Sequence, residues 1–392
     1  MKSKIIGFVL SFVVMIAVTP FVFDKLMNSR FDKMLANLQK RGVIIKEIED
    51  KSSYLKTDRV FEVTLPKSVL GTREIEWVRL KVEAIFNNSP VTDVKFKGNV
   101  EKVQLSSEKD TKALNELIDK KIRFLVVTPN FKTYRYKIED TVLEKDNLKV
   151  GYKGINGIFE INGYKKNRFY ISKIYIQDLQ NKILLQADNF KTSSVNEANT
   201  TKSDYKLDML LKSDSHTITL SGISGNNITS VFKKLSSVSV IDISKIAFDN
   251  QFFVYNTKFS LNLKDVDYKA VENKEVNEEN LIKLLEKGLK LKSALFIKDV
   301  KLKNEDIGFL DAQLDLDFRP TSNIFSKIML QQFDFVDAKL IVKAAPKMVS
   351  FLNALFPQSA ILFANAKQSG DALMVDIELK NQEITVNGQR IK

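Results

Sequence analysis

The sequence predicts a mainly β protein, in which an N-terminal transmembrane helix precedes an elongated antiparallel β-sheet domain with a few helices. Three observations predict this class. The chain opens on an uncharged apolar run, apolar and polar residues alternate from about residue 58 onward, and helical periodicity is confined to short stretches. Strict alternation gives a strand one buried and one solvated face, which is typical of antiparallel sheets.

Composition supports a folded chain and removes several classes of chemistry. The 392 residues are enough for two or three domains, and 44% hydrophobic with 28% charged residues excludes wholesale disorder. The absence of Cys and the single His exclude disulfides, thiolate zinc sites, Cys nucleophiles and multi-histidine metal sites. The net charge of +13 is spread along the chain. We therefore expect a lysine-rich solvated surface and no nucleic-acid partner.

The first element is a membrane signal. Ile5 to Phe23 is a 19-residue run without charge, and it follows Lys2 and Lys4. At roughly 1.5 Å per residue it nearly spans a hydrocarbon core of about 30 Å. Cleavage as a signal peptide is disfavoured, because the best small-residue pattern, Ala17-Val18-Thr19, ends on Thr and is followed directly by Pro20. We therefore predict a retained signal-anchor over residues 1–24, contacting the membrane through this run, with the N-terminus cytoplasmic.

Residues 25–57 are predicted to form a juxtamembrane helix and a linker. Four apolar residues recur at helical spacing, and Gly42 is a natural stop: Phe31, Met34, Leu35 and Leu38. Two interpretations stay open. The stripe packs on the following domain, or it forms a stalk that contacts a partner or the membrane surface.

The β region follows in two predicted parts, 58–235 and 236–392, which together can also be one continuous domain, 58–392. Alternation is clearest over residues 78–86, 253–263, 310–318, 336–342 and 373–379. The apolar residues stand at odd positions before residues 212–215 and at even positions after them. Asn381-Gln382 separates two further strands. Both positions therefore predict hairpins. The aperiodic, polar stretch Ser193 to Asp204 is interpreted as a long hairpin loop or a weak domain boundary.

Three helices interrupt the strands. The predicted ranges are Lys109 to Lys121, Asn277 to Leu291, and Ala345 to Phe356, the last beginning at Pro346. Helices this few are expected to cover open edges of the sheet.

The sequence contains few residues or motifs that are typical of catalytic sites. Ser221 to Gly225 lacks the spacing of a phosphate-binding loop and is interpreted as a turn. His216 is the only imidazole, and its neighbours Asp214 and Ser215 cannot form a relay with it, because adjacent strand residues point to opposite faces. We interpret it as an ordinary hairpin-end histidine. The sequence thus predicts no catalytic, cofactor-binding or metal-binding residues and no cofactor.

One acidic strand keeps a second hypothesis open. Asp311, Asp315 and Asp317 share a face, with Gln313 among them. Carboxylates at such spacing could serve as an acid/base pair or a calcium site, but the same pattern describes a solvated strand face, which we favour. The alternative function is a carboxylate-type hydrolase acting on envelope glycan.

Both ends of the chain resemble the YdgA-like family of bacterial envelope proteins, a domain of unknown function. The similarity is carried by an Asp337-to-Leu340 "DAKL" strand, a following helix and a closing "ITVNGQ" over residues 384–389, and by Asn280 to Phe318. The segment from Tyr54 to Phe61 departs from the family pattern because it lacks a glycine. The resemblance implies an inner-membrane anchor and a periplasmic β-rich domain, and it brings no catalytic residues.

The leading functional hypothesis follows from shape. A long antiparallel sheet has to cover its apolar face with helices, with a second sheet or with a ligand. We expect a non-enzymatic, membrane-anchored periplasmic protein that binds a lipid or an envelope protein partner through a sheet groove or face.

Overall fold

The computed structural model describes residues 30–53, 56–70, 74–87, 93–129, 131–145, 148–161, 165–178, 180, 182–212, 215–267 and 278–391. The chain is mainly β and divides into two compact units, Met1–Lys182 and Ile183–Lys392. Antiparallel pairing runs through the strands of each unit, so the predicted β class is confirmed. The predicted membrane helix, Ile5 to Phe23, lies outside the described residues.

The described residues of unit 1 form three helices and ten strands. The helices are α1 (30–40), α2 (Lys67–Leu70) and α3 (Glu108–Ile118). The strands are β1 (Ile44–Asp50), β2 (Lys56–Pro66), β3 (Ile75–Asn87), β4 (Val94–Leu105), β5 (Arg123–Thr128), β6 (Thr133–Ile138), β7 (Thr141–Lys145), β8 (Leu148–Lys153), β9 (Ile155–Ile161) and β10 (Lys165–Asp178).

The strands of unit 1 form a meander. β1 to β6 pair in sequence order, β6 pairs with β9, and β7 pairs with β8. Both β8 and β9 pair with the same edge of β10 in one unbroken register, so they act as a single long strand that is interrupted only at Gly154.

The stripe of α1 packs on this sheet. Phe31 is fully buried, and its ring centroid lies 5.8 Å from those of both Phe61 and Phe86. Met34 and Leu35 pack against the same cluster. The structure thus supports the interpretation in which the stripe serves the following domain, and Gly42, at a φ of +92°, ends the turn after the helix as predicted.

Helix α3 covers an open edge, as predicted for the helices. β5 pairs only with the first half of β4, which leaves the second half without a neighbouring strand on that side. Asn115 fills the place of a strand residue there. The Val103 N–H donates to Asn115 Oδ1 at 2.8 Å, and Asn115 Nδ2 donates to the Val103 carbonyl at 2.7 Å. These bonds satisfy backbone groups that an open edge would leave unpaired.

In unit 2, the part of the chain that the structure describes forms four helices and twelve strands. The helices are α4 (Glu278–Glu286), α5 (Ile324–Met329), α6 (Pro346–Leu355) and α7 (Ser359–Phe363). The strands are β11 (Ile183–Glu197), β12 (Thr200–Lys212), β13 (Thr217–Val231), β14 (Leu235–Phe248), β15 (Phe252–Val266), β16 (Leu289–Leu302), β17 (Glu305–Phe318), β18 (Val336–Ala344), β19 (Lys367–Ser369), β20 (Ala372–Lys380), β21 (Glu383–Val386) and β22 (Gln389–Arg390).

Long hairpins build the sheet of unit 2. β11 to β18 pair in sequence order, β18 pairs with β20, and β19 and β21 share the other edge of β20. The predicted turn at Asn381-Gln382 is confirmed, with φ values of +50° and +66°. Two left-handed residues match the twist of the flanking strands, which is why such turns favour hairpins.

Three local predictions were wrong. The polar stretch Ser193 to Asp204 is no long loop, because its two halves pair as β11 and β12 around a turn at Ala198-Asn199. The helix predicted to reach Leu291 ends at Glu286, and Gly288, at a φ of +77°, redirects the chain into β16. The Ser221 to Gly225 stretch lies inside β13, where Gly222 forms a bulge and donates its N–H to Asp208 Oδ1 at 2.7 Å.

Four strand glycines each pack against an aromatic ring on the neighbouring strand. Each lies directly opposite an aromatic residue whose ring occupies the space that a Cβ would need: Gly98 with Phe124, Gly151 with Tyr175, Gly157 with Tyr136, and Gly225 with Tyr205. At Gly157 the missing side chain lets Tyr136 and Phe169, from the strands on either side, stack with ring centroids 6.2 Å apart. In such pairs the aromatic ring supplies the packing that the glycine, without a side chain, cannot provide.

Candidate functional site

The apolar face of unit 2 is built of residues in register across five strands. One row holds Leu261 of β15, Ser293 of β16, Leu314 of β17, Leu340 of β18 and Ile377 of β20. The next row holds Leu263, Leu291, Leu316, Ala338 and Leu379. Because strands lie about 4.8 Å apart, each row runs for about 19 Å perpendicular to the strands.

Helices cover both ends of this face. At one end α6 and α7 pack on the sheet, and Val342, Ala344 and Val375 are buried beneath them. At the other end Ile324 of α5 is buried with Phe335 and Val336. Apolar burial there supplies the contact that holds each helix to the sheet.

Between these covers the face is only half-buried. We call this half-buried stretch between the two covers the apolar groove and define it by nine residues: Leu261, Leu263, Leu291, Ser293, Leu314, Leu316, Ala338, Leu340 and Ile377. The contrast along β20 is direct, because Val375 has no exposed surface whereas Ile377, two residues further on the same face, retains some. The groove carries no charged side chain, so it suits an apolar ligand.

The helical covers also expose apolar side chains of their own. Met329 in α5 is 71% exposed and Ile361 in α7 is 80% exposed. Large apolar side chains at such exposure mark an interaction surface when they cluster, and here Phe325 and Leu330 accompany Met329.

The opposite face of the same strands is charged. Asp315 pairs with Lys292, and Asp317 Oδ2 lies 2.8 Å from Lys290 Nζ. Asp311 accepts a hydrogen bond from Gln313 Nε2 at 3.3 Å. The three carboxylates thus share one strand face, as predicted, and two of them are matched by cross-strand lysines, as expected of a solvated face.

The single histidine has a partner that the sequence did not indicate. His216 Nδ1 lies 2.7 Å from Asp249 Oδ2, at the neighbouring hairpin end, and its ring stacks on Phe248 with centroids 5.2 Å apart. The predicted neighbour Asp214 lies outside the described residues. The contact depends on strand pairing between β13 and β14 and so has no signature in local spacing.

This contact predicts a measurable titration. The backbone N–H of Thr217, donating at 2.6 Å, and then His216 hold the pKa of the Asp249 carboxyl below its ordinary value. We expect His216→Ala to raise that pKa only partly, because the Thr217 bond remains. A lowered carboxyl pKa stabilises the folded chain at neutral pH, and this contribution is lost as the pH falls through the folded-state pKa.

The measurement is a pH titration of the Asp249 side-chain carboxyl carbon by NMR, in the wild type and in the variant. Phe248→Leu is the control, because it removes the stacked ring and leaves both hydrogen bonds. An Asp249 pKa that is unchanged in His216→Ala would contradict the prediction.

Three further findings concern membrane-spanning helices, metal sites and similarity to known proteins. In the described residues, which begin at residue 30, no helix is long and apolar enough to cross a membrane. No group of three or more acidic or histidine side chains within those same residues could hold a metal ion. Comparison with known proteins found nothing similar, since no family model, curated protein or solved structure matches the chain. Membership of the YdgA-like family therefore stays a prediction.

Proposed function

We propose that this chain is a non-enzymatic, membrane-anchored protein of the bacterial cell envelope that binds the acyl chain of a lipid in the apolar groove. The observation that carries the proposal is the half-buried state of the groove between two helical covers, beneath which other residues of the same face are buried. An acyl chain that crosses the rows would complete the burial of the face.

The dimensions agree with this occupant. The rows extend for about 19 Å, and an acyl chain fills one leaflet, or about half of a hydrocarbon core of about 30 Å. Each methylene that leaves water contributes roughly 0.8 kcal/mol, so affinity should rise with chain length until the groove is filled. Apolar side chains, which make up the rows except for Ser293, impose no directional bond, and the groove would therefore accept acyl chains of different headgroups.

The cellular part of the proposal rests on the sequence. Ile5 to Phe23 would anchor the chain, Lys2 and Lys4 would keep its N-terminus cytoplasmic, and the β units would lie in the periplasm. The resemblance of both chain ends to YdgA-like envelope proteins supports the same placement. Such an anchor would keep the chain attached to the membrane that supplies its lipid.

The test compares two neighbouring residues of β18. Leu340 faces the groove and Ile341 faces the opposite side of the sheet, and both are half-buried. The full chain is purified in detergent, incubated with fatty acids of increasing length and examined by native mass spectrometry. We expect Leu340→Glu to lose acyl binding at least tenfold, because it places a carboxylate among apolar side chains, while Ile341→Glu binds as the wild type does.

A bulky apolar variant distinguishes a blocked groove from a misfolded chain. Leu314→Trp should fill the groove without adding charge, and it should shorten the longest acyl chain that binds. Equal binding by wild type, Leu340→Glu and Leu314→Trp would refute the proposal. A co-purified envelope protein that is displaced by Leu340→Glu, in place of any lipid, would assign the groove to a protein partner instead.

A further inference from the structure

A cavity lies in unit 1 beside α1, and its lining is basic. Its volume is about 620 Å³, and four cations surround it: Arg30, Lys33, Arg41 and Lys132. None of the described residues that line it is acidic. A cavity with this balance of charge favours an anionic ligand.

The folding of α1 concentrates this charge. Arg30, Lys33 and Asn37 recur at helical spacing, beside the apolar stripe that docks on the sheet. Asp32 is the one acidic residue between residues 30 and 41. Its carboxylate accepts a hydrogen bond from Arg59 Nη1 at 2.9 Å, and Arg59 also pairs with Glu47 of β1. The helix's only carboxylate is therefore held by another cation.

The rest of the lining is mostly apolar. Met34 and Leu38 contribute from α1, Phe131 from the turn before β6, and Tyr134 from β6 itself. Phe131 adopts a left-handed φ of +54°, which is costly for an aromatic residue, and two contacts hold it. Its N–H donates to Thr128 Oγ1 at 2.9 Å, and its carbonyl accepts from the Tyr134 hydroxyl at 2.9 Å.

We infer that this cavity binds the phosphate-bearing headgroup of an anionic phospholipid. The cations would contact the phosphate, and the side chains of Met34 and Phe131 would contact the glycerol and the first methylenes. The choice of a membrane lipid over a soluble phosphate rests on the anchor in the proposed function. Six residues lie between Phe23 and Arg30, and the seven steps from one Cα to the next span at most about 25 Å, so the cavity would stay within reach of the membrane surface.

The site is separate from the apolar groove in both chemistry and location. The groove lies in unit 2 and selects for acyl length, whereas this cavity lies in unit 1 and selects for headgroup charge. A basic cavity near the anchor would hold unit 1 against anionic lipid.

The test titrates the detergent-solubilised full chain with phosphatidylglycerol and with phosphatidylcholine and counts retained lipid by native mass spectrometry. We expect the wild type to retain phosphatidylglycerol preferentially. The double variant Lys33→Gln, Arg41→Gln should weaken that retention about thirtyfold, at the strength typical of two basic residues beside an anionic surface. The matched control, Lys40→Gln with Lys46→Gln, removes the same charge from exposed positions that do not line the cavity.

Three results would overturn the inference: equal retention of the two lipids by the wild type, an equal loss in both double variants, or displacement of phosphatidylglycerol by inorganic phosphate at similar concentration. The last would assign the cavity to a soluble phosphate. Leu340→Glu should keep the headgroup preference. Failure of the groove proposal and failure of this inference are therefore separately visible.

Discussion

Replacing Phe31 with alanine is expected to lower the free energy of unfolding of unit 1 by about 3–5 kcal/mol, the range typical of a buried phenylalanine truncated to alanine. Its ring has no exposed surface and contacts the rings of Phe61, Phe86 and Phe96. Because Phe31 is the fully buried residue of α1, its loss should release the helix as well as leave a cavity. Arg59, whose guanidinium carbon lies 5.5 Å from the Phe31 ring, would lose part of its packing too.

The single tryptophan makes this measurement specific. Trp77 lies in β3, so its fluorescence during urea denaturation reports on unit 1. Gln39→Ala is the control, because Gln39 lies on the exposed side of the same helix and alanine keeps helical propensity. A loss below about 1 kcal/mol for Phe31→Ala, within the range of surface substitutions, would show that α1 is not docked on the sheet as described.

The second large effect is expected at a strand glycine. A Cβ at Gly157 would lie 2.3 Å from the Tyr136 ring and 2.4 Å from the Arg168 carbonyl oxygen. Both distances are below van der Waals contact, so Gly157→Ala should destabilise unit 1 by about 1–3 kcal/mol or more. The stacking of Tyr136 on Phe169 across this glycine would be lost as well.

A second glycine distinguishes a clash of the added Cβ with an aromatic ring from a clash with the backbone. At Gly151 the nearest atoms to an added Cβ all belong to Tyr175, the closest at 2.1 Å. We expect Tyr175→Ala to relieve much of the cost of Gly151→Ala, whereas Tyr136→Ala should relieve little of the cost of Gly157→Ala, because the Arg168 carbonyl remains. Urea midpoints from Trp77 fluorescence give both double-mutant cycles. Equal relief in the two cycles would contradict this account.

Sequence patterns predicted most of the local structure. The alternation over residues 310–318 and 373–379 placed β17 and β20 and assigned their faces correctly. Pro346 marked the start of α6, and the parity flip across 212–215 marked a hairpin. These features depend on a few neighbouring residues, so periodicity and turn chemistry suffice to find them.

The errors have one physical origin. Ser193 to Asp204 was interpreted as a loop because its residues are polar on both faces, yet pairing with β12 and β13 keeps it extended. Leucines from Leu281 to Leu291 suggested one helix, but Leu289 is buried in β16, opposite Phe318. In both cases hydrogen bonds and burial that are contributed by distant strands override the local pattern.

The sequence by itself determined the β class and the strand faces, because period-two alternation can be recognised within a short stretch of the chain. Only the tertiary structure decided where the apolar face is covered by helices and where it stays half-buried. Register across β15 to β20 aligns Leu261, Leu314 and Ile377 into one row, and no spacing along the chain encodes that alignment. The basic cavity has the same origin, because it joins α1 to a turn about a hundred residues away through packing on a shared sheet.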